Sequence, residues 1–141
     1  MGNQVTCIKK IGFQDVQYII RNNNQNYILI STLKKEQQGC LIPTTLQADK
    51  EEAVINGYLK AGKPSIVIYG KNTNDETVCQ KYKQLLTLGF PQIYIYPGGM
   101  FEWLCLQDIY GPDEFPTTKK ELDILLFAPR SVFTGIPLLT A

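Results

Sequence analysis

Two hydrophobic patterns alternate along this chain. Short unbroken apolar runs, "YILIST", "SIVIYG" and "QIYIYPGG", have the length of strands, and runs without polar alternation mark parallel strands covered on both faces. Around them lie stretches whose apolar residues return every three or four positions, as on one face of a helix. "GFQDVQYIIRNNNQN" places Phe13, Val16 and Ile19 or Ile20 at that spacing, and the Asn-rich run ends the helix. "KEEAVINGYLKAG" predicts a helix burying Ala53, Val54, Tyr58 and Leu59 and stopping near Gly62. "ETVCQKYKQLLTLG" predicts another with Val78, Tyr82, Leu85 and Leu86 on one face, capped by Asn74 and Asp75 and closed by Gly89. "MFEWLCLQDIYG" reads as a helix too, and Thr118 with Glu121 forms a capping box before "LDILLF", a last helix that Pro129 ends.

Strands alternating with helices in this way predict an α/β domain with a mainly parallel central sheet. In such sheets ligands bind beyond the carboxyl ends of the strands. The loop after "SIVIY" therefore lies where chemistry is expected, with a helix N-terminus behind it to hold an anion. Its residues Gly70, Lys71, Asn72, Thr73, Asn74 and Asp75 include no Cys, Ser, His or Arg. Asp75 and Glu76 place the chain's own carboxylates at the positive end of that helix, offset in part by Lys71.

Composition narrows the chemistry further. The chain has 141 residues, 44% apolar and 19% charged, as expected of one globular domain, and its net charge of +1 offers no general attraction to nucleic acid or acidic lipid. Histidine is absent. The usual general base near neutral pH, the Ser-His and Cys-His pairs, and the commonest metal ligand go with it. Cys7, Cys40, Cys79 and Cys105 are widely spaced with no C-x-x-C pair, so neither a zinc knuckle nor a redox couple is encoded locally, and reduced thiols in a cytosolic setting are expected. No cofactor and no metal is called for. Neither "AGKPS", interrupted by Pro64, nor "YPGGM" has the register of a phosphate-binding loop.

The opening "MGNQVTC" fits the acylation pattern M-G-x-x-x-[ST], with Gly2 as myristoyl acceptor and Cys7 placed for a second chain. Used, it brings the protein to a membrane surface; unused, residues 1–12 are an ordinary N-terminal arm. No apolar run approaches the roughly 18 residues that span a bilayer. At the other end, residues 129–141 form a tail carrying Val132, Phe133, Ile136, Leu138 and Leu139, too apolar to stand in water uncovered. It docks either on its own domain or on a partner. "DIYGPDEFPTT" offers a second contact surface, with Tyr110 and Phe115 as exposed aromatics.

Taken in order, these motifs resemble a rhodanese-like domain. "YILI" is similar to that family's first signature strand, "GCLIPTTL" to its G-H-I-P-G-A segment, and "IVIYG" to the strand entering the active loop. "LLTLGFPQIYIYPGGMFEW" resembles the family's L-x-x-x-G-F-x-x-V stretch followed by Gly-Gly and Trp. The stretch after Phe101 resembles a C-terminal extension seen in some proteins of protists and large DNA viruses. The resemblance implies a three-layer domain over residues 13–128, with helices on both faces of the sheet. It also implies that the sulfur-carrying cysteine of active members falls at Gly70, where there is no thiol. The family's D-x-R is absent after "YILI", and the His of its G-H-I-P is Cys40. The related dual-specificity phosphatases need C-x5-R, and Arg21 and Arg130 both lie far from the loop.

These departures lead to the expectation of a pseudoenzyme, a non-catalytic interaction or structural module with protein partners in a cytosolic, ciliary, cytoskeletal or virion assembly. The alternative is a sulfurtransferase or related thiol enzyme that has moved its nucleophile to Cys40. Cys79 and Cys105 read as thiols packed in the core.

Overall fold

The computed structural model describes residues 8–22 and 26–133. Four strands, β1 (Lys9–Lys10), β2 (Tyr27–Ser31), β3 (Ser65–Tyr69) and β4 (Ile93–Ile95), form one sheet in the order β1-β4-β3-β2 with every pairing parallel. The helices are α1 (Phe13–Arg21), α2 (Ala48–Lys60), α3 (Thr77–Thr87) and α4 (Gly99–Tyr110). Two 3-10 turns, Lys35–Gln37 and Ile124–Phe127, complete the elements.

Strand parity divides the core in two, because successive side chains point to opposite faces. Ile28, Ile30, Ile66, Ile68, Ile93 and Ile95 pack on one face with Ile55 of α2 and with Val78, Tyr82 and Leu85 of α3. Leu29, Val67 and Tyr69 face the other side, with Val16 and Ile19 of α1 and with Met100, Trp103 and Leu104 of α4. The result is a three-layer α/β domain. Lys9 and Lys10 pair with Tyr94 and Ile95, so the last residues of the expected arm join the sheet as a short edge strand.

Several helix faces differ from expectation. In α2 the buried residue is Ile55; Ala53 is exposed, and Val54, Tyr58 and Leu59 are only half-buried. Leu86 lies on the outer side of α3, where Leu85 takes the inward place. The "LDILLF" helix is a 3-10 turn rather than an α-helix. Its supposed capping residue is used elsewhere: the Thr118 hydroxyl accepts from Leu41 N–H at 3.0 Å and donates to Gly39 O at 3.3 Å. The Thr118 N–H donates to Leu41 O at 2.8 Å, so the segment beyond α4 is stitched to residues 39–41.

Phe115, expected at the surface, is 3% exposed. Its ring packs edge-on against Trp103 with centroids 5.1 Å apart and contacts Phe13 at 5.5 Å. Trp103 Nε1–H donates to Pro116 O at 2.8 Å, which satisfies the indole that this packing buries. The segment after α4 thus supplies part of the core.

Candidate functional site

The loop joining β3 to α3 stands at the carboxyl end of the sheet, where the sequence placed it. Asp75 organises it. One carboxylate oxygen accepts from Lys71 N–H at 2.9 Å; the other accepts from Thr77 N–H at 3.1 Å and lies 2.5 Å from the Thr77 hydroxyl. That hydroxyl shares a 2.8 Å hydrogen bond with Thr32, just past β2. Asp75 therefore does the work of a bound anion, collecting amides from both sides of the loop. Glu76, expected to share this role, is exposed and caps no amide.

Asn72 fixes the other half. Its side-chain oxygen accepts from Asn74 N–H at 2.8 Å, its carbonyl accepts from Asp75 N–H at 3.2 Å, and its side-chain NH₂ donates to Phe127 O at 2.8 Å. Asn72 is buried, so this last bond ties the loop to the C-terminal extension in a place shielded from water. Thr73 and Asn74 face solvent.

From above, α4 closes on the same loop. Met100 N–H donates to Gly70 O at 2.9 Å and Phe101 N–H to Lys71 O at 2.8 Å, so the first free amides of α4 are taken up by loop carbonyls. Gly99 makes this approach possible: its φ is +64°, and a Cβ there would stand 2.6 Å from Gly70 O and 3.0 Å from Asn72 N.

Gly70 itself has no room for a side chain. A Cβ at this position would collide with the Asp75 carboxylate, approach Val78 Cγ2 to 2.7 Å and reach Thr32 Oγ1 at 2.8 Å. The space beside the strand end is filled by Asp75.

The cysteines lie elsewhere. Cys40 is buried, and its Sγ donates to Lys119 O at 3.3 Å. Burial pushes its thiol pKa up and Glu121 adds to the rise, against smaller lowering contributions from the Thr117 side chain and the Lys119 backbone. No cation contributes. Cys79, expected in the core, is exposed, and Cys105, expected to be buried, is only partly so. Cys7 and Gly2 lie outside the described residues, as do Ile136, Leu138 and Leu139. Among the described residues no group of three or more Cys, Asp or Glu side chains is placed to hold a metal ion, and no helix is long and apolar enough to cross a membrane.

Of the expected contact residues, Tyr110, Val132 and Phe133 are exposed and Phe115 is not. Sequence reasoning missed the roles of Thr118 and Phe127, which brace residues 39–41 and Asn72 from outside. It missed Tyr69 as well, whose buried hydroxyl accepts from Ile42 N–H at 3.1 Å and lies 2.7 Å from the Thr45 hydroxyl. Those bonds seat the "GCLIPTTL" segment against β3.

Solved structures share this fold. The Alr3790 protein from Anabaena sp. superposes with a TM-score of 0.58 at 15% identity, covering 82% of this chain and 84% of that one. The single-domain sulfurtransferase RDL2 of Saccharomyces cerevisiae gives 0.52 at 18% identity over 80% of this chain and 99% of its own. The fold is rhodanese-like. A thiosulfate sulfurtransferase from Pseudomonas aeruginosa matches with a TM-score of 0.55 at 14% identity, over 70% of this chain and 19% of that longer protein. No protein-family model matches the sequence, and no curated protein matches it either.

Proposed function

We propose that this chain is a non-catalytic rhodanese-like module that serves as an interaction or structural subunit of a larger protein assembly. The carrying observation is the relation of Gly70 to Asp75: the position that a sulfur-bearing side chain would need is closed by a carboxylate that already holds the loop amides. An entering thiosulfate or phosphate would meet a fixed negative charge and would have to displace it. The exposed Tyr110, Val132 and Phe133 support the binding side of the reading, since large exposed apolar groups are suited to a protein partner. The setting we propose is a cytosolic, ciliary, cytoskeletal or virion assembly, with membrane contact where Gly2 is acylated.

The competing proposal, thiol chemistry at Cys40, is disfavoured by the burial and raised pKa of that thiol. Transfer of sulfur from thiosulfate to cyanide separates the two. The wild-type protein is expected to show no turnover above the uncatalysed rate; turnover that disappears in Cys40→Ala would overturn the non-catalytic reading. Removal of residues 130–141 tests the tail: its role in binding is lost if the proteins co-purified from the native host all remain.

A further inference from the structure

On the sheet face covered by α1, packing is incomplete. A cavity of about 240 Å³ opens there, lined by Ile11, Asp15, Tyr18, Ile19, Tyr27, Val67 and Tyr94. It lies away from the β3–α3 loop: Tyr27 is the first residue of β2, whereas the loop follows the last residue of β3. Strand register makes this grouping. Val67 pairs with Tyr94 on one side and Leu29 on the other, and Tyr27, Leu29, Val67 and Tyr94 share one parity, so their side chains rise from the same face. The i, i+3, i+4 spacing of Asp15, Tyr18 and Ile19 brings all three to the cavity from α1.

The chemistry of the lining is uneven in an informative way. The lining holds three phenol rings, three aliphatic side chains and one charged group, the Asp15 carboxylate. Aromatic faces carry negative potential and attract cations lying within about 6 Å of the ring centroid. Lys9 already does so from outside the lining: its Nζ stands 5.7 Å from the Tyr94 centroid, held as well by Gln92 Oε1 at 3.3 Å. An ordinary ammonium entering the cavity would lose N–H hydrogen bonds to water that tyrosine faces do not return. A quaternary ammonium has no N–H to lose. Its methyl groups suit the Ile11, Ile19 and Val67 floor, and its positive charge suits the three rings and Asp15. The volume lies below the roughly 300 Å³ at which pockets for drug-sized ligands begin, which fits a small head group. Tyr18 and Asp15 are both exposed and form the mouth, so the group enters at the end of a stem that stays in solvent.

We infer that the cavity formed by Tyr18, Tyr27, Tyr94 and Asp15 is a cage for a quaternary ammonium carried by a trimethylated lysine on a partner protein. The protein source rests on the interaction role proposed above; the cage rests on its own lining residues. Lys9 is a built-in competitor, since its charge sits on one of the three rings.

Calorimetric titration of the full chain with a Gly-Ser-flanked peptide holding a single trimethyl-lysine, and with its unmethylated twin, tests the inference. The methylated peptide is expected to bind, to shift the ring resonances of Tyr18, Tyr27 and Tyr94, and to bind more tightly by about tenfold than the twin. Tyr18→Ala, at an exposed position that leaves the core intact, weakens binding by about threefold to thirtyfold, Tyr18→Phe restores it, and Lys9→Gln tightens it. Equal affinity for the two peptides, or indifference to Tyr18→Ala, would overturn the cage. If tetramethylammonium moves the three ring resonances while the peptide does not, or if phosphocholine vesicles bind in its place, the protein source is wrong. None of these readouts depends on sulfur transfer, so failure here and failure of the non-catalytic reading are separate results.

Discussion

Asp75 holds with its carboxylate the space that a side chain on Gly70 would need. The two residues are therefore coupled, and restoring a thiol at position 70 is not a single-residue change. Gly70→Cys is expected to destabilise the fold by about 1–3 kcal/mol through overpacking and to give no sulfur transfer. Asp75→Ala removes a helix cap at a cost of about 1 kcal/mol. In the double variant the clash with the carboxylate is relieved, those with Val78 Cγ2 and Thr32 Oγ1 remain, and the amides of Lys71 and Thr77 are freed toward the new thiol. Its loss of stability should fall short of the sum of the single losses by about 0.5–3 kcal/mol, measured by urea unfolding. The new thiol should also be alkylated faster than in Gly70→Cys. Strict additivity would show that the two positions do not compete for one space.

Stability should fall on the alkaline side. Burial raises the hydroxyl pKa of Tyr69 above the normal tyrosine range, and burial with the Glu102 carboxylate does the same for Tyr96, whose hydroxyl donates to Glu102 Oε2 at 2.6 Å. Burial raises Cys40 too. The folded protein therefore keeps protons that the unfolded chain has given up, so the native state binds more protons and stability decreases as pH rises. The full contribution is present below about pH 9 and is lost progressively through about pH 9–10 and above, toward the folded-state pKa values. Urea midpoints should fall between pH 8 and about pH 10.5, with a shallower fall in Tyr96→Phe. A midpoint that does not move over that range counts against the buried-phenol account.

Phe115 and Tyr110 stand close in sequence, with ring centroids 6.2 Å apart, but they belong to different classes. Phe115→Ala empties a core site between Trp103 and Phe13 and is expected to cost about 3–5 kcal/mol. Tyr110→Ala, with Tyr110 64% exposed, should change stability by no more than about 0.5 kcal/mol. Thermal unfolding of the two variants distinguishes them. Only Tyr110→Ala is then a usable probe of partner binding.

Asn72→Ala cuts the buried bond to Phe127 O and leaves that carbonyl without its partner, at an expected cost of about 1–3 kcal/mol. The effect should appear at a distance in sequence: amides from 124 to 128 exchange faster with deuterium, as well as those of the loop. Faster exchange confined to the loop would mean that the extension is held by its other contacts alone.

Strands β2, β3 and β4 and most of the helices were legible because their signals are local, whereas β1 lay in the expected arm. Ile28 and Ile30, Ile66 and Ile68, Ile93 and Ile95 write the strand period into the sequence, and Val16 with Ile19, or Val78 with Tyr82 and Leu85, write the helical one. The extension was not, because its structure is set by contacts remote in sequence. Thr118 and Glu121 have the form of a capping box, yet the Thr118 hydroxyl is bonded to Leu41, 77 residues away. Phe115 is surrounded by Gly, Pro, Asp and Glu and reads as surface until Trp103 and Phe13 are placed beside it. In the loop, the capping capacity of Asp75 was readable. Its reach back to Lys71 N–H was not, since that depends on how sharply the chain turns between them.

The bond between Asn72 and Phe127 also joins the loop mechanically to the segment after α4. Phe133 projects into solvent a short way along the chain from Phe127, and Phe127 holds the loop through its carbonyl. A displacement of Phe127 is therefore felt at the loop through the Asn72 side chain.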